Sequence, residues 1–411
     1  MKKFILSAAS FAVVAISAVA VAPTTSEAIP AFARQTGAAC LACHHLSFPA
    51  LSAFGRSFKQ GAFTDVGEQT LIEDDLLSIT SAVNLTLVLR PQFSSTTVSG
   101  GGVPSVTTKT AVIPADAVLI FGGRVGTNTG TFVEFAAADP IPFANFKLTH
   151  SVDMGGMKVG ASVFRSGFGE TYAMEVGSTF GQHGGMLGGK ALSASNTISN
   201  NAGGTGGVGI FAANDMITAS VSLVSAGAAV SGVVGNGWKL APSARIFGTA
   251  EVGGFELGFG AGLTSGTTGN AQTAAALLLP LGTTLEMKKW MVDMQAQGEI
   301  GDMGFAFYAD YASASASTLT KLNFFNPGVA GNLKGYSFRG ELKPIHTVVV
   351  MAGIGRLSDN ASKTAQWQVG AEYEIYQNFV LALSYNNTKV TPVAGLATTT
   401  KTTLLDIEAL L

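Results

Sequence analysis

From about residue 75 to the end of the chain, apolar and polar side chains alternate. Trp367, Val369, Ala371, Tyr373 and Ile375 interleave with Gln366, Gln368, Gly370, Glu372 and Glu374. Trp290, Val292, Met294 and Ala296 interleave with Lys289, Asp293, Gln295 and Gln297, and Tyr336, Phe338 and Leu342 with Ser337, Arg339, Glu341 and Lys343. Segments at 77–90, 144–152, 255–261, 303–311, 379–385 and 404–411 repeat the pattern less strictly. A strand sends successive side chains to opposite faces, so each of these segments has one apolar and one polar face. The pattern demands sheet.

Composition then says which sheet. Hydrophobic residues make up 47% of the chain and charged residues only 12%, about half the charge of an ordinary soluble protein. Beyond the leader, no apolar run reaches the roughly 18 residues of a membrane-crossing helix. The apolar groups must therefore be hidden by strands. Tight turns are expected at Met154-Gly155-Gly156, Gly253-Gly254, Gly301-Asp302 and Gln377-Asn378, with long polar loops at 94–112, 181–213, 263–275, 313–331 and 388–401. Short turns alternating with long loops mark a transmembrane antiparallel β-barrel, turns periplasmic and loops outside. A β-sandwich would carry more charge and more evenly spaced turns. The expectation is an all-β barrel of about 16 strands over residues 76–411, in the outer membrane of a Gram-negative bacterium, with outer-membrane lipid around it. The net charge of -2 gives no sign of a nucleic-acid partner.

The beginning of the chain is different. Lys2 and Lys3, the apolar run Phe4 to Ala22 and the small-x-small triplet Ser26-Glu27-Ala28 read as a signal peptide over residues 1–28. Ala20-Val21-Ala22 is an alternative cleavage site of the same type. Residues 29–75 are helix and loop in character, and Leu51, Phe54 and Phe58 share a helical face by their spacing.

Within that segment lie both cysteines of the chain, as Cys40-Leu41-Ala42-Cys43-His44. Two thiols three residues apart on one helical turn suit the two vinyl groups of a single haem, and the adjacent His44 then offers its imidazole to the iron as proximal metal ligand. A zinc site would want a second ligand pair, and a redox dithiol a βαβ setting; neither is visible. One covalent haem c is the expected cofactor, and the chemistry rests on it. His45, His150, His183, His346 and the methionines give no spacing that marks a sixth ligand. A segment of some 45 residues is too short to shield a haem alone, so it is expected to plug the barrel or sit at its periplasmic mouth. The inward carboxylates Asp293, Glu299, Glu341, Glu372, Glu374, Asp406 and Glu408 could guide a ferrous ion, although barrel lumens are polar in any case.

The runs Pro30-Ala31-Phe32-Ala33-Arg34-Gln35-Thr36-Gly37, Cys40 to His44, Phe48-Pro49-Ala50-Leu51 and Phe54-Gly55-Arg56-Ser57-Phe58-Lys59 resemble the fused monohaem cytochrome–porins that serve as Fe(II) oxidases in iron-oxidising bacteria. The match covers about 30 residues; the barrel agrees in architecture and length. The resemblance implies an oxidoreductase that takes one electron from extracellular Fe(II) and passes it to a periplasmic c-type cytochrome. It also implies that Arg34 pairs with a haem propionate, against the alternative of an ordinary surface arginine. A haem-bearing porin, or an outer-membrane conduit for a donor other than iron, is the other function compatible with the same residues.

Overall fold

The computed structural model describes residues 30–47, 50–67, 69–136, 145–166, 193–199, 205–226, 239–269, 284–318, 320–328 and 331–411. The expected signal peptide and His183 lie outside them. Three short helices come first: α1 (Pro30–Thr36), α2 (Cys40–Cys43) and α3 (Ala53–Gln60). A small hairpin follows, β1 (Leu71–Asp74) with β2 (Leu77–Thr80). The barrel begins with β3 (Leu85–Gly100), β4 (Val103–Gly126), β5 (Thr129–Ala136), β6 (Asn145–Asp153) and β7 (Lys158–Ser166). Helix α4 (Ala194–Ser199) precedes β8 (Thr205–Ala213), β9 (Ile217–Ala226), β10 (Ala241–Val252), β11 (Phe255–Gly269) and β12 (Thr284–Ile300). The rest are β13 (Met303–Ala314), β14 (Leu333–Ile345), β15 (Val348–Ser358), β16 (Ser362–Tyr376), β17 (Phe379–Pro392) and β18 (Thr398–Leu410).

Among the described residues, β3 to β18 form one closed barrel of sixteen antiparallel strands, each paired with the next, and β18 returns to β3. Closure leaves no unpaired backbone edge, which a sheet standing in hydrocarbon cannot tolerate. The seam carries its own ion pairs. Arg90 reaches Asp406 at 2.8 Å, Glu408 at 3.3 Å and Asp116 at 3.8 Å. The described helices include none long and apolar enough to cross a membrane.

The alternation has the expected sense. On β16, Trp367 and Val369 are 43% and 46% exposed while Gln368 is 1% exposed. Val292 faces out and Asp293 in, by the same phase. Outward aromatics pair along the long-loop side, Trp290 with Tyr311 at 5.1 Å and Trp367 with Tyr385 at 5.3 Å, and Phe255 meets Phe305 at 6.0 Å near the short turns. An outward face of aliphatic and aromatic side chains matches a bilayer-spanning wall. Replacing Val369 with Arg is expected to cost roughly 2–4 kcal/mol near the bilayer midplane, and replacing it with Leu next to nothing. Refolding equilibria in lipid vesicles check this; equal tolerance of Arg and Leu would reverse the assigned face.

All four expected tight turns join neighbouring strands at one end of the barrel. Four of the expected long loops are shorter than anticipated; within 181–213, residues 205–213 form β8. Residues 94–100 and 103–112 extend β3 and β4, β11 runs on to Gly269, and β17 and β18 take in 388–392 and 398–401. The Thr and Ser residues there read as loop by polarity. Threonine is β-branched, however, and ladders such as Thr96–Thr402 at 3.1 Å and Thr97–Thr107 at 2.8 Å carry the sheet beyond the apolar band. The run 77–90 is also split, because residues 77–80 pair back onto 71–74 and the barrel starts at Leu85 instead of residue 76.

Candidate functional site: the thiol–imidazole turn in the barrel mouth

The helical segment has a core of its own. Phe32 packs on Phe58 at 5.2 Å and Phe63 at 5.4 Å, and on Phe132 of the wall at 6.4 Å. Gly122 on β4 makes this approach possible: a Cβ there would lie 2.7 Å from the Phe32 ring. Buried Gln35 is the polar centre. Its Nε2 donates to the carbonyls of Phe63 at 2.6 Å and Asp65 at 2.7 Å, while its Oε1 accepts from Asn84 at 2.9 Å and from the Arg124 amide at 3.0 Å.

Further bonds tie the segment to strands around much of the wall. The Ala31 amide donates to Thr86 Oγ1 at 2.9 Å, Lys158 to Ser57 Oγ at 2.9 Å and Gln60 to Thr218 Oγ1 at 2.9 Å. Arg56 is ion-paired with Glu256, and Ser47 Oγ donates to Glu341 Oε2 at 2.9 Å. Every one of these wall residues lies toward the short-turn end of its strand. The segment therefore sits inside the barrel mouth on that side.

Helix α2 is a single turn. The His44 amide donates to the Cys40 carbonyl at 2.9 Å and closes the turn, while His44 itself is the C-cap, in extended backbone that bridges to Leu51. The turn is braced from behind by α3. Ser52 N donates to the Cys43 carbonyl at 2.9 Å, and at Gly55 any Cβ would collide with that carbonyl; the site thus needs glycine at this position for close backbone packing. Burial raises the Cys43 thiol to about 11. Redox-active dithiols have depressed values, so this setting speaks against dithiol exchange. His45 is held lower than usual, chiefly by burial, and its Nε2–H donates to the Phe305 carbonyl at 3.0 Å. It is an anchor to β13.

Between α2 and the wall strands β16 to β18 lies a narrow gap, with about 10 Å3 of enclosed space. Cys40, Leu41 and His44 border it on one side, and Glu372, Glu374 and Glu408 on the other. Cys40 and His44 open onto this gap and Cys43 lies buried on the same turn; two thiols and an adjacent imidazole are the donor set that covalent haem attachment requires. The donor residues fit the attachment chemistry of that group. Arg34 is not among the residues bordering the gap; it is exposed, and its guanidinium bonds to the Leu85 carbonyl on the barrel rim. His150 is exposed on the outer face and bonds to Thr129 at 2.8 Å, and His346 lies exposed in the turn after β14.

The inward carboxylates are largely engaged by cations of the wall. Asp293 takes Arg245 at 2.7 Å, Glu341 takes Arg339 at 2.9 Å and Glu374 takes Lys343 at 3.0 Å. Glu299 continues the inward phase of Asp293, Gln295 and Gln297 and is exposed beside its turn. Among the described residues no cluster of His, Cys, Asp and Glu has the geometry of a metal site.

The inward face is also less uniformly polar than the alternation implies. On the long-loop half, Leu285, Met287 and Met291 point inward and pack with Phe164, Ile198, Leu357 and the buried pair Phe324–Phe325. Helix α4 is fixed beside them: Asp310 Oδ2 accepts from Ser193 Oγ at 2.8 Å and from the Ser195 amide at 2.9 Å, and the Ala194 amide donates to Ser337 at 2.9 Å. The lumen is thus filled from both ends. The only sequence sign of this second filling is Phe324-Phe325 inside an otherwise polar loop.

No family model and no curated protein matches this chain. Solved structures with similar architecture include the outer-membrane channel DcaP of Acinetobacter baumannii, 14% identical over 80% of this chain and 97% of that one, with a TM-score of 0.47. The anion-selective porin from Comamonas acidovorans is 10% identical, over 80% and 99% of the two chains, with a TM-score of 0.49. A loop-deletion form of OmpT from Vibrio cholerae is 12% identical over 79% and 99%, with a TM-score of 0.44. The likeness is one of barrel architecture.

Proposed function

We propose that the protein is an outer-membrane c-type cytochrome of a Gram-negative bacterium, which oxidises extracellular Fe(II) one electron at a time and hands each electron to a periplasmic c-type cytochrome. The observation that carries this reading is the Cys40–His44 turn, bordering a cavity inside a closed barrel at its short-turn mouth. Short turns face the periplasm in such barrels, which supports a soluble periplasmic acceptor.

Cys40 and Cys43 would hold haem through two thioethers. Each S–H would add across a vinyl C=C, the sulfur to one carbon and the hydrogen to the other, so attachment would need no oxidant. His44 would supply the proximal imidazole. When bound, haem supplies a reversible one-electron carrier. The chain's part is to position and shield it: α3 fixes the turn, Gln35 and the Phe32 cluster fix the segment, and β16 to β18 wall off the gap. Fe(II) is the electron donor and leaves as Fe(III). The engaged carboxylates and the doubly filled lumen speak against the alternative of a porin open to solutes.

Anaerobic addition of Fe(II) to the purified, air-oxidised holoprotein is expected to bring up the absorption bands of reduced haem. A chemical reductant that produces those bands where Fe(II) does not would overturn iron as the donor and leave a conduit for another donor.

A further inference from the structure

The β1–β2 hairpin leaves one sheet face without a partner. Its register opposes Ile72 to Ile79 and Asp74 to Leu77, so these four side chains share one face while Glu73 and Ser78 share the other. The second face is occupied. Ser78 is buried, bonded to Glu73 at 2.9 Å and to Arg124 Nη2 at 2.6 Å. The first face is open: Ile72 is 49% exposed, Leu77 42%, and Leu76 at the turn 102%. Apolar side chains gathered in this way on a two-stranded hairpin, an element marginally stable by itself, mark a contact surface.

Two observations identify the occupant. The surface is acidic: Asp74 lies on the apolar face and Asp75 in the turn beside Leu76, and the chain has no Lys or Arg between Lys59 and Arg90. The hairpin also overhangs the lumen mouth and not the lipid belt. Arg124, its anchor, lies on the same face of β4 as Gly122, against which Phe32 packs inside the barrel, and Arg124 Nη1 donates to the Thr64 carbonyl of the helical segment at 3.1 Å.

We propose that this hairpin is the docking face for the periplasmic electron acceptor, and that the acceptor is a small protein presenting an apolar patch ringed by lysines or arginines. The proposal deepens the function given above and rests on it for the acceptor's role. Opposite charge steers the encounter, and the apolar tip supplies contact area once the charges have aligned the partners. The low affinity of so small a patch suits a carrier that must leave after each electron.

The test uses the holoprotein in nanodiscs, with both proteins oxidised and no Fe(II) present, so that the iron reading does not enter. A basic mitochondrial-type cytochrome c is the probe and an acidic flavodoxin the control. The wild type is expected to bind the cytochrome and not the flavodoxin, more weakly as salt rises. Asp74→Lys with Asp75→Lys is expected to weaken binding roughly tenfold, and Leu76→Ser to weaken it with the salt dependence unchanged. Leu76→Trp reports the occupant: its emission should be that of a solvent-exposed indole in the nanodisc alone and shift to the blue when cytochrome is added. Absence of cytochrome binding, equal binding of the flavodoxin, or full binding by the charge-reversed variant would overturn the proposal. A blue-shifted indole without cytochrome would assign the face to the membrane instead.

Discussion

A chain with serine at both Cys40 and Cys43 is expected to reach the outer membrane as a folded barrel and to show no haem stain after denaturing electrophoresis. The loss should be complete, because a haem that survives denaturation must be held covalently and these are the only two cysteines. The barrel should be unaffected because the segment is tied to the wall through other groups. Gln35, Ser47, Arg56 and Gln60 bond to it, and the Phe32–Phe58–Phe63 cluster packs against Phe132. Serine is close to cysteine in size, so the packing of α2 on α3 is kept. Heat-modifiable migration of the unheated barrel checks the fold, and haem staining checks the cofactor. Staining in the folded double variant would end the assignment of the turn.

Removing residues 30–67 is expected to leave the conductance of the barrel low. On sequence grounds the helical segment is the only plug, and its deletion alone would open a pore. The tertiary structure adds the second filling by α4 and Phe324–Phe325, which lies toward the long loops and is held there by Asp310 and Ser337 of the wall. Opening should require both removals. The deletion combined with Asp310→Ala, which withdraws the carboxylate that holds Ser193 and Ser195, and with Phe324→Ser and Phe325→Ser, should raise single-channel conductance by an order of magnitude or more, toward that of barrels with water-filled lumens. Planar-bilayer recordings decide the matter, with circular dichroism to verify strand content. Porin-like conductance from the deletion alone would show that the second filling does not close the lumen.

Much of the architecture is local in origin and therefore readable along the chain. Strand phase is fixed by neighbours two residues apart, so the outward Trp367 and Val369 and the inward Gln368 and Glu372 follow from the sequence directly. Turns such as Gly253-Gly254, with φ of 61° and 82°, follow from glycine's access to that region. The Cys40–His44 motif is likewise local, since one helical turn sets the spacing of the two thiols and His44 caps it. Polarity misled at the Thr-rich hairpin ends, where β-branching and cross-strand hydroxyl bonds outweigh it.

What only the tertiary structure decides is where these local pieces meet. Nothing in the sequence around Cys40 indicates that Glu372, Glu374 and Glu408, more than 300 residues away, would face it, or that Phe305, Glu341 and Glu256 would receive His45, Ser47 and Arg56. Those partners are set by barrel closure, which returns β18 to β3 and converts one inward phase into a wall around a common space. The same closure explains why Leu285, Met287 and Met291 point inward against a polar expectation: they gain burial against Phe324 and Phe325, a contact between chain segments that no periodicity records. The sequence by itself determined the sheet, its faces and the thiol–imidazole turn, because each depends on a few consecutive residues. The contents of the lumen were decided by long-range packing, in which the stabilising partner of a side chain lies on another strand.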